Sequence, residues 1–325
     1  MNIPSLILTL PEAAYTPVGA EVLRGLTATP KTLSPWLFYD EAGSKLFEAI
    51  TRLPEYYLTR TERGIFAKHA DAMLESGGDG TLKLIELGAG TAVKTGLLLQ
   101  AAIRRQGKVE YVPIDVSESA LAQAKARLES EINGVTCTPR VADYTDGIAE
   151  VPAAGARRMV LYIGSSIGNF EPEDAVTVLR EVRKKLTVGD RLLLGADHVK
   201  DRQTLLRAYD DEAGITAEFN KNLLVRINRE LGGNFNARLF RHRARWNERK
   251  SRIEIHLESV TSQVVTVPAL ELEVRFGAGE TIHTENSYKF TAESIAEIVE
   301  RAGFRMERRW TDEREWFGVY LATAG

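Results

Sequence analysis

From residue 82 onward, short apolar runs alternate with amphipathic stretches of helical length, and this alternation limits the possible folds more than any other feature. Apolar runs separated by helices are typical of βαβ units, whose strands form a parallel sheet. The predicted strands are residues 82–87, 109–114, 135–140, 159–163 and 191–196. The chain is therefore predicted to have an α/β fold around a buried parallel sheet.

The sequence also shows where two of the intervening helices begin. Ser117 suits the N-cap of the helix after the second strand, because alanine and leucine repeat at helical spacing behind it. Pro172 suits the first turn of a later helix, and Gly189 marks a point beyond its end.

After the fifth strand the pattern changes. Residues 200–231 are predicted to be nearly continuous helix, and residues 251–276 alternate polar and apolar side chains as strands do. A helix at 292–302 and strands at 304–310 and 316–321 then restore the first pattern. No repeat or flexible linker is evident, so we expect an inserted α+β domain packed against the first, with a ligand cleft between them.

Charge and cysteine content argue against several classes of protein. The chain of 325 residues has a formal net charge of −3, which gives no long-range attraction to nucleic acid or an anionic membrane. Its one cysteine, Cys137, cannot form an internal disulfide, and the five histidines are scattered singly, without metal-ligand spacing. Residues 3–10 are apolar but too few for a signal peptide or a membrane span. We expect a soluble, cytoplasmic protein with a small-molecule substrate and no metal, membrane or nucleic acid partner.

The strongest local motif is Ile85-Glu86-Leu87-Gly88-Ala89-Gly90-Thr91, in which a predicted strand runs into two glycines. Glycines at the carboxyl end of such a strand let the backbone approach a cofactor closely. The third glycine of the dinucleotide fingerprint is missing, and Glu-x-Gly-x-Gly suits S-adenosylmethionine, which has no phosphate.

Two acids strengthen this interpretation. Asp115 ends the second strand, where it can accept from ribose hydroxyls, and Asp143 follows the third strand, where it can meet the adenine amino group. Each acid alone could instead cap a helix. Three features at successive strand ends together predict a cofactor site.

Several long and uncommon strings lie outside the predicted strands. They are Gly25-Leu26-Thr27 with Pro30-Lys31, residues 36–40, residues 51–57 with 59–62, residues 164–169, residues 207–211, and residues 284–287 with Lys289-Phe290. In these strings the chain resembles the histidine N-methyltransferases of ergothioneine biosynthesis and their fungal aromatic amino acid relatives. The resemblance extends along nearly the whole chain.

This resemblance implies a Rossmann-like class I methyltransferase domain at 62–199 plus 288–325, and an α+β substrate-binding domain at 8–61 plus 200–287. It also implies the ligand contacts. The residues implied for S-adenosylmethionine are Gly88, Lys94, Asp115, Asp143 and Tyr144. Those implied for the amino acid are Tyr56, Asn169, Tyr209, Glu285 and Ser287, with Tyr39 near the substrate carboxylate.

The chemistry of these side chains fits an amino acid. Asn169 follows a loop of glycine and serine, and its amide can hold the reacting amine and donate to the carboxylate. Glu285 and Ser287 are two residues apart in a strand-like segment, so both side chains point to one face. An imidazole could donate to the glutamate and accept from the serine or, through water, from Tyr56, whereas an apolar ring would leave the glutamate unpaired.

The implied reaction is trimethylation of the α-amino group of histidine to hercynine, the first step of ergothioneine biosynthesis. Two alternatives stay open. The same fold could act on tryptophan, tyrosine or a related aromatic amino acid, and Glu285 would then be dispensable. A nucleic acid modifying or binding protein would use the basic cluster of Arg241, Arg243 and Arg245, although a solvated face explains that cluster better.

Overall fold

The computed structural model describes residues 10–75, 80–149, 151 and 155–325. In these ranges the α-helices are α1 (Pro17–Thr27), α2 (Glu41–Ile50), α3 (Tyr57–Glu75), α4 (Gly96–Gln106), α5 (Glu118–Glu131), α6 (Tyr144–Ala149), α7 (Pro172–Lys184), α8 (Arg202–Tyr209), α9 (Ile215–Leu231) and α10 (Ala292–Arg301). Short 3₁₀ helices occur at Glu12–Tyr15, Pro35–Phe38, Ser166–Asn169, Ala237–Leu239 and Pro268–Leu270.

The strands of the same ranges are β1 (Lys31–Thr32), β2 (Leu82–Leu87), β3 (Val109–Asp115), β4 (Val135–Cys137), β5 (Arg140–Val141), β6 (Arg157–Tyr162), β7 (Arg191–Asp197), β8 (Phe240–Asn247), β9 (Arg252–Ser259), β10 (Gln263–Val267), β11 (Leu272–Phe276), β12 (Thr281–Tyr288), β13 (Phe304–Thr311) and β14 (Phe317–Ala324).

Eight of these strands form one sheet in the order β13-β14-β7-β6-β2-β3-β4, with β5 also pairing with β3. The pairs from β7 through β2 to β4 and β5 are parallel, and β14 runs antiparallel to both β7 and β13. The predicted α/β fold with a parallel sheet is therefore confirmed, and a C-terminal antiparallel hairpin completes it.

The strand order reverses at β2. From β2 the chain proceeds through β3 to β4 on one side, and then returns to β6 and β7 on the other. Open α/β sheets bind ligands at such a switch point, outside the carboxyl ends of the strands. The loops after β2, β3, β5 and β6 all lie at that edge, because these strands are parallel.

Helices cover both faces of this sheet. Alternation along β2 sends Ile85 into one apolar cluster and Leu84 into the other. Helices α7 and α10 fill the Ile85 cluster, and helices α3, α4 and α5 fill the Leu84 cluster. Burial on both faces explains why β2 is an uninterrupted buried run in place of an alternating one.

Two predicted elements are divided in the structure. The strand predicted at 135–140 is interrupted after Cys137, because Pro139 has no N–H to donate to a ladder. The helix predicted at 200–231 breaks between α8 and α9. There Gly214 has a φ of 74°, and the Asp211 carboxylate accepts from the backbone N–H groups of Ile215 (2.9 Å) and Thr216 (2.8 Å). This capping carboxylate starts a new helix.

The chain divides into two compact units. The sheet unit comprises the described residues of Glu48–Ala208, Trp246–Ile253 and Asn286–Gly325. The small unit comprises 10–47, Tyr209–Arg245 and Glu254–Glu285. The predicted substrate-binding domain included residues 48–61, 200–208, 246–253 and 286–287, which belong to the sheet unit. The assignment of one domain to the cofactor and one to the substrate stays a prediction.

The small unit contains helix α9 and most of a second sheet, in the order β1-β12-β9-β8, besides the hairpin of β10 and β11. Its core includes Phe38 and Phe219, whose ring centroids lie 4.7 Å apart. The inserted α+β segment that the sequence predicted is therefore present. No helix in the described part of the chain is long and apolar enough to cross a membrane.

Candidate functional site

The glycine motif forms a tight loop after β2. Gly88 and Gly90 have φ values of 64° and 50°, which favour glycine. The N–H groups of Gly88 (2.9 Å) and Ala89 (3.2 Å) donate to the carbonyl of Ile114 on the neighbouring strand. A Cβ atom added to Gly90 would meet no atom within 4 Å, so the backbone there borders open space. The open space at Gly90 leaves room for a ligand beside this loop, and the cofactor contact of Gly88 stays a prediction.

Asp115 connects this loop to the next helix. One carboxylate oxygen accepts from the N–H of Gly90 and the other from the N–H of Ser117, both at 2.9 Å. Ser117 itself caps α5 by accepting from Ala120, as predicted. Each Asp115 oxygen has more than one lone pair, so these bonds leave acceptor capacity for a ligand hydroxyl. The ribose contact of Asp115 stays a prediction.

Asp143 caps a helix in the structure, which was the alternative interpretation of this acid. Its Oδ1 atom accepts from the N–H of Asp146 (3.0 Å), so the side chain caps α6. The side chain is exposed at the same sheet edge as Asp115. Tyr144 begins α6, and its side chain lies outside the described part of the structure. Contacts of both residues with the cofactor stay predictions.

Lys94 lies beside the loop that follows β6. Its ammonium group forms an ion pair with Glu62, a fully buried residue of α3. The same carboxylate accepts from the N–H of Gly164 at 2.9 and 3.1 Å. A Cβ atom on Gly164 would lie 3.0 Å from Lys94 Nζ. Glu62 thus joins the loop after β2 to the loop after β6.

A second buried glutamate, Glu86, lies in β2 directly before the glycine loop. The Glu86 carboxylate accepts from the hydroxyl groups of Thr95, at the start of α4, and Tyr111, on β3. Burial raises the pKa of Glu86 to about 7, although both hydroxyl donors oppose the rise. The acid of the motif therefore bonds to the protein itself and changes its charge near neutral pH.

Asn169 ends the 3₁₀ helix Ser166–Asn169, directly after β6, and is half-buried. Ser165 starts this turn with a φ of 62°, and its Oγ atom accepts from the N–H of Asp197 (2.9 Å). A Cβ atom on Gly168 would lie 3.0 Å from the carbonyl oxygen of Tyr288. The loop thus packs on the end of β12, which also carries Ser287.

A buried network of charged groups lies behind Ser287. Lys289 Nζ donates to Ser287 Oγ (2.8 Å) and pairs with Asp197 (2.8 Å). Tyr57 donates to the same Asp197 carboxylate (2.7 Å), and Lys200 donates to its other oxygen (2.6 Å). Burial lowers the pKa of Lys200 to about 8. Burial opposes ionisation of Asp197, but the two ammonium groups prevail and lower its pKa.

The predicted substrate residues are distributed over both units. Tyr56, Asn169 and Ser287 belong to the sheet unit, and Tyr39, Tyr209 and Glu285 belong to the small unit. Asn169 and Ser287 are brought to neighbouring segments, whereas Tyr56 precedes α3. Glu285 and Ser287 both lie in β12, which confirms the strand from which their common face was inferred.

In the small unit, Tyr39 packs edge-on against Phe47 and Phe219, each at 5.7 Å between ring centroids. Tyr209 ends α8 with its side chain buried, and its carbonyl oxygen lies 2.8 Å from Nε2 of His242. These positions leave the substrate contacts of both tyrosines as predictions.

Among the buried charged groups of the sheet unit that sequence reasoning missed are Glu62, Asp197, Lys289 and the side chain of Lys200. Glu62 and Lys289 lie inside the strings that carried the family resemblance, which was the one available signal. Periodicity could not find them, because several of the stabilising partners are remote in sequence: Glu62 pairs with Lys94, and Asp197 bonds to Tyr57 and Lys289.

Two further observations concern the described part of the chain. A cavity of about 330 Å³ in the sheet unit has Tyr57, Arg60 and Trp316 among its lining residues, and contains no predicted site residue. In the described part of the chain, no group of three or more His, Cys, Asp or Glu side chains could hold a metal ion.

Known proteins resemble this chain over almost its full length. The model of a family described as histidine-specific, SAM-dependent methyltransferases matches residues 18–324. The histidine N-alpha-methyltransferases of Mycolicibacterium smegmatis and Mycobacterium tuberculosis are each 42% identical to it, over 96% of this chain and 96% of theirs. Ergothioneine biosynthesis protein 1 of Schizosaccharomyces pombe is 28% identical over 96% of this chain and 41% of its own length.

Proposed function

The chain belongs to the family of histidine-specific, S-adenosylmethionine-dependent methyltransferases, and from this premise we propose that it methylates the α-amino group of L-histidine. One observation carries the proposal. Similarity to the family includes the small unit as well as the sheet unit, since the match extends over residues 18–324. A likeness confined to the sheet would have supported the cofactor and left the substrate open.

The residues at the sheet edge fit S-adenosylmethionine. Gly90 borders open space, Asp115 retains acceptor capacity for ribose hydroxyls, and Lys94 offers an ammonium group for a carboxylate. Gly88 has a positive φ in the same loop and is proposed to contact the cofactor through its backbone. Asp143 and Tyr144 are proposed to contact the adenine. When bound, S-adenosylmethionine supplies an electrophilic methyl group on a sulfonium. The protein then has to align an amine and let it lose its proton.

We assign the alignment to Asn169. Its position after β6 places an amide, which can both donate and accept, at the carboxyl edge where the cofactor loop also ends. A lone pair directed at the methyl group requires the α-amine to be neutral. The α-amine of a free amino acid is mostly protonated at neutral pH, so deprotonation has to precede each transfer.

Selectivity for histidine is assigned to Glu285 and Ser287, together with Tyr56, and the carboxylate contacts to Tyr39 and Tyr209. A histidine ring offers one donor and one acceptor nitrogen, which match a carboxylate and a hydroxyl on the same strand. We further propose three successive methylations to hercynine, as the first step of ergothioneine biosynthesis. Each intermediate amine can again lose a proton, whereas the quaternary product cannot.

We also propose a cytoplasmic enzyme that works without a metal or a nucleic acid. Cys137 is the single cysteine of the given sequence and cannot form an internal disulfide, which suits a reducing compartment. Each guanidinium of the basic cluster, Arg241, Arg243 and Arg245, lies within 4 Å of the Glu258 carboxylate, so their charge is partly neutralised within the protein.

The test is calorimetric titration of the protein with histidine, tryptophan and tyrosine, each with S-adenosylhomocysteine present, followed by mass spectrometry of the turnover products. Binding of histidine alone, with a mass gain of three CH₂ groups, supports the full proposal. Preference for an indole or a phenol would refute the role of Glu285 while keeping the methyltransferase activity.

The variant Asn169→Ala provides a matched check on the reacting site. It should lose turnover while retaining S-adenosylhomocysteine affinity, because Asn169 is assigned to the amino acid. Unchanged turnover would show that the amine is aligned elsewhere.

A further inference from the structure

The carboxylate of Glu62 lies at the meeting point of four segments of the sheet unit. It extends from α3, pairs with Lys94 before α4, accepts from the Gly164 N–H after β6, and packs on Gly195 of β7. A Cβ atom at Gly195 would lie 2.1 Å from Glu62 Oε1, so that strand has no room for a larger residue. The carboxylate is completely buried.

Such a group is costly to bury unless it is paired and hydrogen-bonded, as it is here. The Lys94 side chain, in contrast, is 21% exposed. An ammonium group has three N–H donors, and in Lys94 one of them meets the completely buried carboxylate of Glu62. Glu62 therefore limits the direction in which Lys94 can present its other donors.

The chemistry of the ligand indicates what those donors meet. S-adenosylmethionine and S-adenosylhomocysteine each carry one anionic group, the carboxylate of the amino acid end. Lys94 lies four residues beyond Gly90 in the loop that would contact this end. The Lys94 ammonium group, fixed by its ion pair with Glu62, can donate a charge-assisted hydrogen bond to a ligand carboxylate.

We propose that Glu62 is a positioning residue that holds Lys94 toward the carboxylate of the bound cofactor and, through Gly164, ties that contact to the loop carrying Asn169. This inference rests on the proposed function, because it takes S-adenosylmethionine as the ligand. In this proposal Glu62 contacts neither the cofactor nor the amino acid substrate.

The experiment compares two ligands that differ only at the amino acid end. The dissociation constants of S-adenosylhomocysteine and of 5′-methylthioadenosine, which lacks that end, are measured by calorimetry for the wild type and for Glu62→Gln. We expect the variant to bind S-adenosylhomocysteine about tenfold or more weakly, as for loss of one charge-assisted bond, with 5′-methylthioadenosine unaffected. In a Lys94→Met background, Glu62→Gln should cause no further loss.

A matched control is Asp190→Asn, which breaks a different buried ion pair of the same sheet unit, with Arg158 (2.7 Å). It should alter neither affinity. If Glu62→Gln fails to fold, Glu62→Asp keeps the charge but withdraws it by one methylene, and should show the same selective loss.

The results separate the two levels of the argument. Equal weakening of both ligands, or tighter S-adenosylhomocysteine binding by Glu62→Gln, would refute the positioning role while leaving the methyltransferase assignment intact. Failure of the wild type to bind S-adenosylhomocysteine at all would refute the proposed function first.

Discussion

Replacing Glu86 by glutamine should make the protein more stable at alkaline pH and leave its stability nearly unchanged at acid pH. Burial raises the pKa of this carboxyl from 4.5 to about 7 in the folded protein. Below about pH 4.5 the group is protonated in the folded and unfolded states alike, so it causes no loss. Between about pH 4.5 and 7 the unfolded state ionises while the folded state still holds the proton, so stability is lost over this range and levels off above about pH 7, where the folded state carries the buried charge. Glutamine never carries that charge.

The size of the effect follows from the same two values. A tenfold change in a proton-binding constant corresponds to about 1.4 kcal/mol, so raising the pKa from 4.5 to about 7 limits the loss to roughly 3 kcal/mol. The stability difference between Glu86→Gln and the wild type should therefore increase by up to that amount between pH 4.5 and 8. Glutamine can still accept from Thr95 and Tyr111, which retains the local packing.

The assay is urea unfolding at pH 5, 6, 7 and 8, followed by the fluorescence of the four tryptophans. Thr95→Val provides a check of opposite sign. It removes a donor to the ionised carboxylate, so the pKa of Glu86 should rise further and the loss at alkaline pH should grow. A difference between Glu86→Gln and the wild type that stays constant across this pH range would refute the reasoning.

Three further outcomes are expected. Glu285→Ala should weaken histidine binding by about tenfold to a hundredfold, as for loss of a bond to a charged group, without weakening tryptophan binding, both measured by calorimetry. Gly90→Ala should lower the free energy of unfolding in urea by about 1 kcal/mol, because the φ of Gly90 is 50°, and should also weaken S-adenosylhomocysteine binding. The control Gly214→Ala, at a φ of 74° with equally open surroundings, should lower the free energy of unfolding by a similar amount without changing that binding. The methylation rate should rise with pH as the substrate amine loses its proton, and Glu86→Gln should show the same rise; a flat profile from about pH 6 to 9 would contradict it.

The elements of the sheet were predictable because the signals that define them lie between residues close together in sequence. Strand β2 was predicted with the limits that the structure has, since four of its six residues are apolar and Gly88 follows directly after it. The cap of α5 at Ser117 was equally readable, because a cap bonds to a residue three positions away.

The errors in secondary structure also have local causes. Pro139 lies inside a run that otherwise resembles one strand, and a single missing N–H divides it. Asp211 and Gly214 interrupt a helical pattern whose apolar periodicity continues on both sides. In both cases the residue that breaks the element was visible, but periodicity outweighed it.

The buried hydrogen bonds and ion pairs around the candidate site were not predictable in this way. Glu62 accepts from Gly164, 102 positions away, and Tyr57 donates to Asp197 over 140 positions. A charged residue in an amphipathic helix is more often solvated than buried, so sequence alone favours the wrong environment. Only the strings shared with the family pointed to Glu62 and Lys289.

The position of β14 has a consequence for synthesis of the chain. All eight residues of Phe317–Ala324 are buried, and the strand lies between β7 and β13, inside the sheet. Phe317 and Val319 share one apolar cluster with Phe66 of α3. During synthesis α3 and β7 are therefore produced long before β14, and the apolar surfaces that β14 covers stay exposed until it is made. During that interval the exposed apolar surfaces favour aggregation or chaperone binding.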